Sequence, residues 1–150
     1  MNIAILMLEI RNGNHSLFYI IVWFTIRSKH SGLILDIAGS NHGANIVTFR
    51  KHGGNNQIWK WQGNKIVSKL GYVLDVNAGG TEEGTKVIAW NHHGGLNQQW
   101  IMIGDKIISV LNGMCLDIPA GSRSSGIGII LWSLKSDDAV DNQSWELVYQ

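Results

Sequence analysis

Short apolar runs, separated by glycine and by Asn/Asp clusters, follow one another along most of the chain. The segments Leu35–Ile37 and Leu74–Val76 show the pattern, because in each an acidic residue stands between two apolar ones. Alternation with a period of two is typical of β-strands, and no stretch keeps the period of 3.6 residues that a helix would show. The pattern therefore predicts an all-β chain with many short strands.

The beginning of the chain carries a different pattern, with two longer apolar runs around a polar turn. Met1–Ile10 and Leu17–Ile26 are almost wholly apolar, and Arg11–His15 contains an Asn-Gly pair, which is a strong hairpin signal. We therefore expect an N-terminal extension or extra hairpin over residues 1–22. A signal peptide fits less well, because the segment lacks a basic start and a small-residue cleavage site. Neither run reaches the length of about 18 residues that a membrane-spanning helix needs, so no membrane insertion is expected.

A threefold repeat organises the remainder of the chain. Each copy contains a Leu-Asp-Ile/Val motif, a glycine, an apolar stretch that ends in an aromatic residue, and an Asn-Gln-x-Trp motif. The copies recur about every 40 residues and cover roughly 23–64, 65–105 and 106–150. A unit of this size cannot bury its own apolar face, so three units should pack around a shared core. The repeat count by itself leaves a threefold barrel, a small propeller and a solenoid open.

Composition narrows the possible partners. The 150 residues contain 12 basic and 11 acidic side chains, and only 15% of the residues are charged. No run of Lys or Arg marks an electrostatic footprint, so nucleic acid and anionic membranes are not expected as partners. The single Cys115 can form neither an intrachain disulfide nor a zinc site. This absence favours a reducing compartment such as the cytoplasm, with secretion as the alternative.

From about Trp23 to the C terminus, the triplicated motifs resemble the ricin B-type lectin domain. The resemblance implies a β-trefoil with pseudo-threefold symmetry. It also implies a non-enzymatic module without cofactors that recognises glycans, galactose-type or related neutral sugars among them, through up to three shallow pockets. The chain departs from the family in lacking a disulfide within each repeat. In addition, some members carry a polar residue two positions before the aromatic, and it forms a hydrogen bond with the sugar. This chain has apolar residues at those positions, Val47, Ile88 and Ile130, so that hydrogen bond is lost.

The resemblance assigns an acidic residue, an aromatic platform and an amide to each pocket. The predicted carbohydrate-binding residues are Asp36, Phe49 and Asn56; Asp75, Trp90 and Asn97; and Asp117, Trp132 and Asn142. A carboxylate and an amide suit sugar hydroxyls, and an aromatic face suits the C–H patch of the ring. Period-two alternation predicts that each Asp stands at the surface between two buried neighbours, although a turn-stabilising Asp would fit the same position.

Two further sets of repeated residues are expected to be structural. The tryptophans of the Asn-Gln-x-Trp motifs should lie in the core, and the glutamines should bind nearby backbone groups or fix the pocket loop. The tryptophans are Trp59, Trp100 and Trp145, and the glutamines are Gln57, Gln98 and Gln143.

The three predicted pockets differ in quality. Repeat two combines a complete set with the compact loop Asn91–Gly95, so it is expected to bind best. Phe49 offers less stacking area in repeat one. Repeat three has a longer loop, Ser133–Asp141, whose Asp137, Asp138 and Asp141 could repel an acidic sugar.

Other functions find less support in the sequence. His92 and His93 are the only histidine pair, and neighbouring side chains on an extended chain point to opposite sides, so neither a metal site nor a catalytic centre is expected. The alternatives are a protein-binding trefoil such as a protease inhibitor, with Ser133–Asp141 as its contact loop, and a trefoil that has lost sugar binding.

Overall fold

The short apolar runs form strands in a computed structural model, which describes residues 5–136 and 141–150. Over those two ranges the regular elements are fifteen β-strands and five single-turn 3₁₀ helices, with no α-helix. None of the helices there is long and apolar enough to cross a membrane.

The strands are β1 Ile5–Asn12, β2 His15–Val22, β3 Phe24–Ser28, β4 Ile34–Ile37, β5 Ile46–Phe49, β6 Trp59–Gln62, β7 Lys65–Ser68, β8 Val73–Val76, β9 Val87–Trp90, β10 Trp100–Ile103, β11 Lys106–Ser109, β12 Cys115–Asp117, β13 Ile127–Gly128, β14 Ile130–Trp132 and β15 Trp145–Tyr149. The 3₁₀ helices are Ala38–Ser40, Asn55–Gln57, Asn77–Gly79, Leu96–Gln98 and Pro119–Gly121.

Strand pairing joins the repeats into a ring. The first strand of each repeat pairs antiparallel with the last strand of the repeat before it, β7 with β6 and β11 with β10. The ring closes where β15 pairs with β3, from Trp145 opposite Ser28 to Tyr149 opposite Phe24. This closed threefold arrangement is the predicted β-trefoil, and it excludes an open solenoid.

The three tryptophans of the Asn-Gln-x-Trp motifs lie at the centre of the core, as predicted. Trp59, Trp100 and Trp145 are buried. The indole Nε1 of Trp100 donates to the carbonyl of Leu74 at 3.0 Å, and Trp145 does the same to Leu116 at 3.1 Å. Each tryptophan is thus anchored to the strand that carries the acidic residue of its own repeat. Complete burial of a large apolar side chain contributes roughly 1.5–3 kcal/mol. The hydrogen bond from each indole also fixes the position of the strand that accepts it.

The N-terminal strands form a separate two-stranded sheet. In it β1 pairs antiparallel with β2, from Ile5 opposite Val22 to Asn12 opposite His15. Gly13 makes the turn with a φ of +64°, a left-handed conformation that favours glycine.

Candidate functional site

Each repeat brings five polar and aromatic residues together, and we refer to these groups as sites one, two and three. Site one contains Asp36, Phe49, His52, Asn56 and Gln57; site two contains Asp75, Trp90, His93, Asn97 and Gln98; site three contains Asp117, Trp132, Lys135, Asn142 and Gln143.

Strand register places the acidic residue and the aromatic platform on one face of the sheet. In site two Asp75 lies opposite Ile88, and Trp90 follows two residues later on the same strand. Side chains two positions apart share a face, so the carboxylate and the indole flank the same depression. In site three, Asp117 likewise lies opposite Ile130, and Trp132 follows two residues later on the same strand.

The carboxylates do not stand at the surface, so that expectation was wrong. Asp36 is 5% exposed, and Asp75 and Asp117 are 2% exposed. In site one Gln57 Nε2 donates to Asp36 Oδ2 at 2.9 Å, and Asn56 Nδ2 donates to Asp36 Oδ1 at 3.1 Å. The alternation rule failed because the turn that carries these amides folds over the polar face of the strand and covers it.

The same amide contacts recur in the other two sites. Gln98 Nε2 donates to Asp75 Oδ2 at 2.7 Å, and Asn97 Nδ2 contacts Asp75 Oδ1 at 3.4 Å. The corresponding distances to Asp117 are 2.9 Å from Gln143 and 3.2 Å from Asn142. The conformation of each carboxylate is therefore fixed before any ligand arrives.

The glutamines are structural, as predicted. Gln98 Nε2 also donates to the carbonyl of Asn91 at 2.9 Å, and Gln98 Oε1 accepts from the backbone N–H of His93 at 2.9 Å. Both ends of the amide are occupied within the protein. Gln98 therefore joins the buried carboxylate to the loop that borders the site.

Two histidines belong to these sites, although sequence reasoning gave them no such role. His93 Nδ1 accepts from the backbone N–H of Gly95 at 3.0 Å, so Nε2 carries the proton of the neutral ring and faces Asp75 Oδ2 at 3.5 Å. His52 makes the same contacts, 3.1 Å to the Gly54 N–H and 3.3 Å to Asp36. A shared His-Gly-Gly-x-Asn-Gln motif was the available signal.

That motif contains a glycine for a steric reason. A Cβ at Gly95 would lie 2.6 Å from Asn97 Oδ1 and 2.7 Å from His93 Cε1. The backbone there has a φ of −67°, so conformational freedom is not what the position requires. The absence of a side chain lets the amide and the imidazole approach the same point.

Burial shifts the titration of two of the carboxyl groups. Desolvation raises the pKa of Asp75, although hydrogen bonds from Gln98 and the neighbouring His93 act against the rise. Desolvation likewise raises the pKa of Asp117; Gln143 and Lys135 oppose that effect, and the charge of Glu83 adds to it.

The aromatic platforms remain open to solvent on part of their surface. Trp90 is 38% exposed and Trp132 is 37% exposed. Trp90 also packs against the preceding repeat, where the His42 ring lies 3.9 Å from the indole between centroids. Gly43 has a φ of +80°, and a Cβ there would lie 3.3 Å from the Trp90 ring. The platform of site two is thus packed against repeat one.

Sites one and two each line a depression on the surface. The residues that line site two are Asp75, Asn77, Ala78, Ile88, Trp90, His93 and Asn97. Those that line site one are Asp36, Ala38, Gly39, Val47, Phe49, His52, Asn56 and Gly126. Both depressions offer acceptors on the carboxylate and the Asn carbonyl, an imidazole that faces the carboxylate, and an apolar wall. This set can hold a ring that carries adjacent hydroxyl groups.

Site three differs at one position. Lys135 takes the place of the histidine, and its Nζ lies 3.3 Å from Asp117 Oδ2 and 3.3 Å from Asn142 Oδ1. The acidic loop Ser133–Asp141, expected to repel acidic sugars or to bind a protein, includes Asp137 and Asp138, which lie outside the described residues.

The histidine pair separates as the extended chain requires. His93 turns toward Asp75, whereas His92 Nε2 lies 3.0 Å from Lys65 Nζ. Within residues 5–136 and 141–150, no group of three or more His, Cys, Asp or Glu side chains could hold a metal ion. Cys115 is buried, and desolvation raises the pKa of its thiol.

Comparison with known proteins agrees with this geometry. The family model described as "Ricin-type beta-trefoil lectin domain" matches residues 22–145. The designed threefold-symmetric protein ThreeFoil is 34% identical, with a TM-score of 0.75 over 84% of this chain and 97% of that one. The C-half of the earthworm R-type lectin, solved with GalNAc, is 25% identical, with a TM-score of 0.73 over 86% and 99%.

A similar domain also occurs within a larger enzyme. The exo-β-1,3-galactanase 1,3Gal43A from Clostridium thermocellum is 32% identical, with a TM-score of 0.75 over 86% of this chain but only 30% of the galactanase. The sequence matches none of the curated proteins with which it was compared.

Proposed function

Because the chain belongs to the family of ricin-type beta-trefoil lectin domains, and is thus a carbohydrate-binding module, we propose that its sites one and two bind neutral, galactose-type sugars without chemical change. The observation that carries the proposal is the arrangement in site two, where a fixed carboxylate, an amide and an imidazole line one depression with a partly exposed indole.

The hydrogen bonds of site two leave groups for a ligand to use. Asp75 has about four lone-pair positions, of which Gln98, Asn97 and His93 fill three. Asn97 uses its Nδ2 on Asp75 and on the carbonyl of Val76, and its Oδ1 accepts no hydrogen bond from the described residues. Two acceptors held close together suit two neighbouring sugar hydroxyls, while Trp90 covers the C–H face of the ring.

Charge and polarity favour a neutral sugar. Asp36 and Asp75 place a carboxylate in each of sites one and two, and this carboxylate would repel the carboxylate or sulfate of an acidic sugar. Ile88 forms an apolar part of the wall of site two and can donate nothing to a hydroxyl. Recognition therefore depends on the carboxylate, Asn97, His93 and the platform.

Binding to a glycan array tests the proposal. The array would compare the wild type with a Phe49→Ala/Trp90→Ala double variant, which removes partly exposed rings and so should leave the fold intact. Ile103→Ala is the matched control, because Ile103 is 60% exposed on β10 and lines neither depression.

We expect the wild type and the control to bind the same neutral glycans, GalNAc-terminated ones included, and the double variant to lose at least about tenfold in affinity. Equal binding by all three proteins, or no binding by the wild type, would reject the proposal.

A further inference from the structure

We infer that Lys135 fills site three as an internal ligand, so that the domain presents two glycan pockets rather than three. This inference rests on the proposed function of sites one and two. It concerns the side chain that occupies the third copy of the same site.

Lys135 is the structural counterpart of the two site histidines. Its backbone N–H donates to Gln143 Oε1 at 3.1 Å, just as those of His52 and His93 donate to Gln57 and Gln98, each at 2.9 Å. The three side chains thus leave equivalent points of the loop and reach the same carboxylate. The chemical difference between the sites comes from the side chain and not from the path of the backbone.

The amide that a sugar would use is occupied in site three. Asn56 and Asn97 are partly exposed, and their Oδ1 atoms accept nothing from the described residues. Asn142 is only 1% exposed, and its Oδ1 accepts from Lys135 Nζ. The acceptor that sites one and two offer to a hydroxyl is therefore satisfied within the protein.

The carboxylate is held more firmly as well. The imidazole Nε2 of His93 lies 3.5 Å from Asp75 Oδ2 in site two, whereas the ammonium of Lys135 lies 3.3 Å from Asp117 Oδ2 in site three. Displacing the ammonium would leave a carboxylate that is 2% exposed without its counter-charge, which is strongly unfavourable. A neutral hydroxyl cannot replace that interaction.

Local charge also argues against an acidic sugar at site three. Glu83 borders the site, where its Oε1 accepts from the backbone N–H of Ser133 at 3.4 Å, and its charge acts on Asp117. Two carboxylates, those of Asp117 and Glu83, thus act at this site beside one ammonium. The site retains negative charge, so Lys135 is not available to attract a carboxylate or a sulfate.

Indole signals in two-dimensional ¹⁵N NMR report on sites two and three separately, with GalNAc as the probe. In the wild type we expect the Trp90 signal to shift and the Trp132 signal to stay. In Lys135→Ala and Lys135→His, the Trp132 signal should shift at concentrations at least about tenfold lower than any that move it in the wild type.

Two results would overturn the inference: a Trp132 shift in the wild type in parallel with Trp90, or a silent Trp132 in both variants while Trp90 responds. A silent Trp90 in every protein would instead count against the proposed function for this sugar, and the occupancy of site three would then be decided without a ligand.

Whether Lys135 occupies site three is then decided by titrating Asp117, with ¹³C NMR of its carboxyl carbon as the readout. Removal of the ammonium in Lys135→Ala should raise the pKa of Asp117 further, because Lys135 is one of the groups that lower it. Asp75 serves as the internal control and should titrate as before. An unchanged Asp117 would show that the ammonium does not occupy the site and would overturn the inference.

Discussion

At the scale of single residues, the buried carboxylate of each repeat supports both the fold and the site. Asp75 accepts from two amides that have no other carboxylate partner in the described part of the chain, and it remains one wall of the depression beside Trp90. Under the proposed function, the same group has a structural role and a role in sugar binding. Its substitution should therefore affect stability as well as sugar binding.

Asp75→Ala should lower the free energy of unfolding by about 1–3 kcal/mol, because Gln98 Nε2 and Asn97 Nδ2 each lose a buried acceptor. Urea denaturation measures the loss. The matched control is Asp105→Ala, which removes a partly exposed carboxylate bonded to Lys29 and Lys106 and should cost roughly 0–1 kcal/mol. Equal losses in the two variants would contradict the structural role assigned to Asp75.

Sugar binding at site two should weaken with falling pH at values above the ordinary titration range of an aspartate. Burial raises the pKa of Asp75, and protonation removes an acceptor that the sugar would use. The stability contribution of this group runs the other way: it is complete below the unfolded-state pKa and is lost as the pH rises through the raised folded-state pKa.

Measurement of GalNAc affinity between about pH 3 and pH 7 checks this dependence, with His93→Gln as the comparison because it removes the imidazole and keeps an N–H donor. The pH dependence should persist in His93→Gln. Its disappearance there would assign the titration to the histidine rather than to Asp75.

At the scale of elements, the loop from His93 to Gln98 assembles site two. The side chain of Gln98 holds this loop, because its Oε1 accepts from the His93 N–H and its Nε2 donates to the Asn91 carbonyl. The imidazole and the Asn97 amide then meet over Gly95, where no Cβ intervenes. The loop is therefore sensitive to a single methyl group at that position.

Gly95→Ala should weaken GalNAc binding at site two by about tenfold or more while changing thermal stability little. The φ of −67° accepts alanine, but the added Cβ must displace the tips of His93 and Asn97. Calorimetry and thermal unfolding measure the two effects. Gly128→Ala is the control, because a Cβ there meets nothing within 4 Å. Unaltered binding by Gly95→Ala would show that the loop geometry does not matter.

Local pattern predicted most elements but not the contacts between repeats. Alternation around Asp36 and Asp75 correctly predicted short strands. The repeat placed Gly43 and Phe49 in one unit, yet the structure packs Gly43 against Trp90 of the next unit. Such a contact follows from strand pairing across the ring, which no local sequence signal records.

The residues of the candidate sites could be selected from the sequence, whereas their burial could not. Three acidic residues in register with three aromatics and three amides identified the positions that the structure brings together. The covering of Asp75 depends on where the turn at Leu96–Gln98 folds, and that is a tertiary property. His52 and His93 were overlooked because their shared motif is missing from the third repeat.

At the scale of the whole molecule, threefold symmetry repeats the scaffold without making the three sites equal. Phe49, Trp90 and Trp132 occupy equivalent positions, but Lys135 closes the third site in our account. Two weak pockets on one rigid ring could engage two sugars of a dense glycan surface. Avidity of that kind can exceed single-site affinity by about 10²–10⁴ when the spacing permits both contacts.

A crystal structure of the chain with GalNAc would show whether this domain binds neutral sugars at sites one and two. Our account predicts sugar density against Trp90, with hydroxyls on Asp75 and Asn97, a second molecule beside Phe49 and Asp36, and none between Lys135 and Asp117. Sugar bound away from Asp75 and Asp36, or sites one and two left empty at saturating GalNAc, would contradict it.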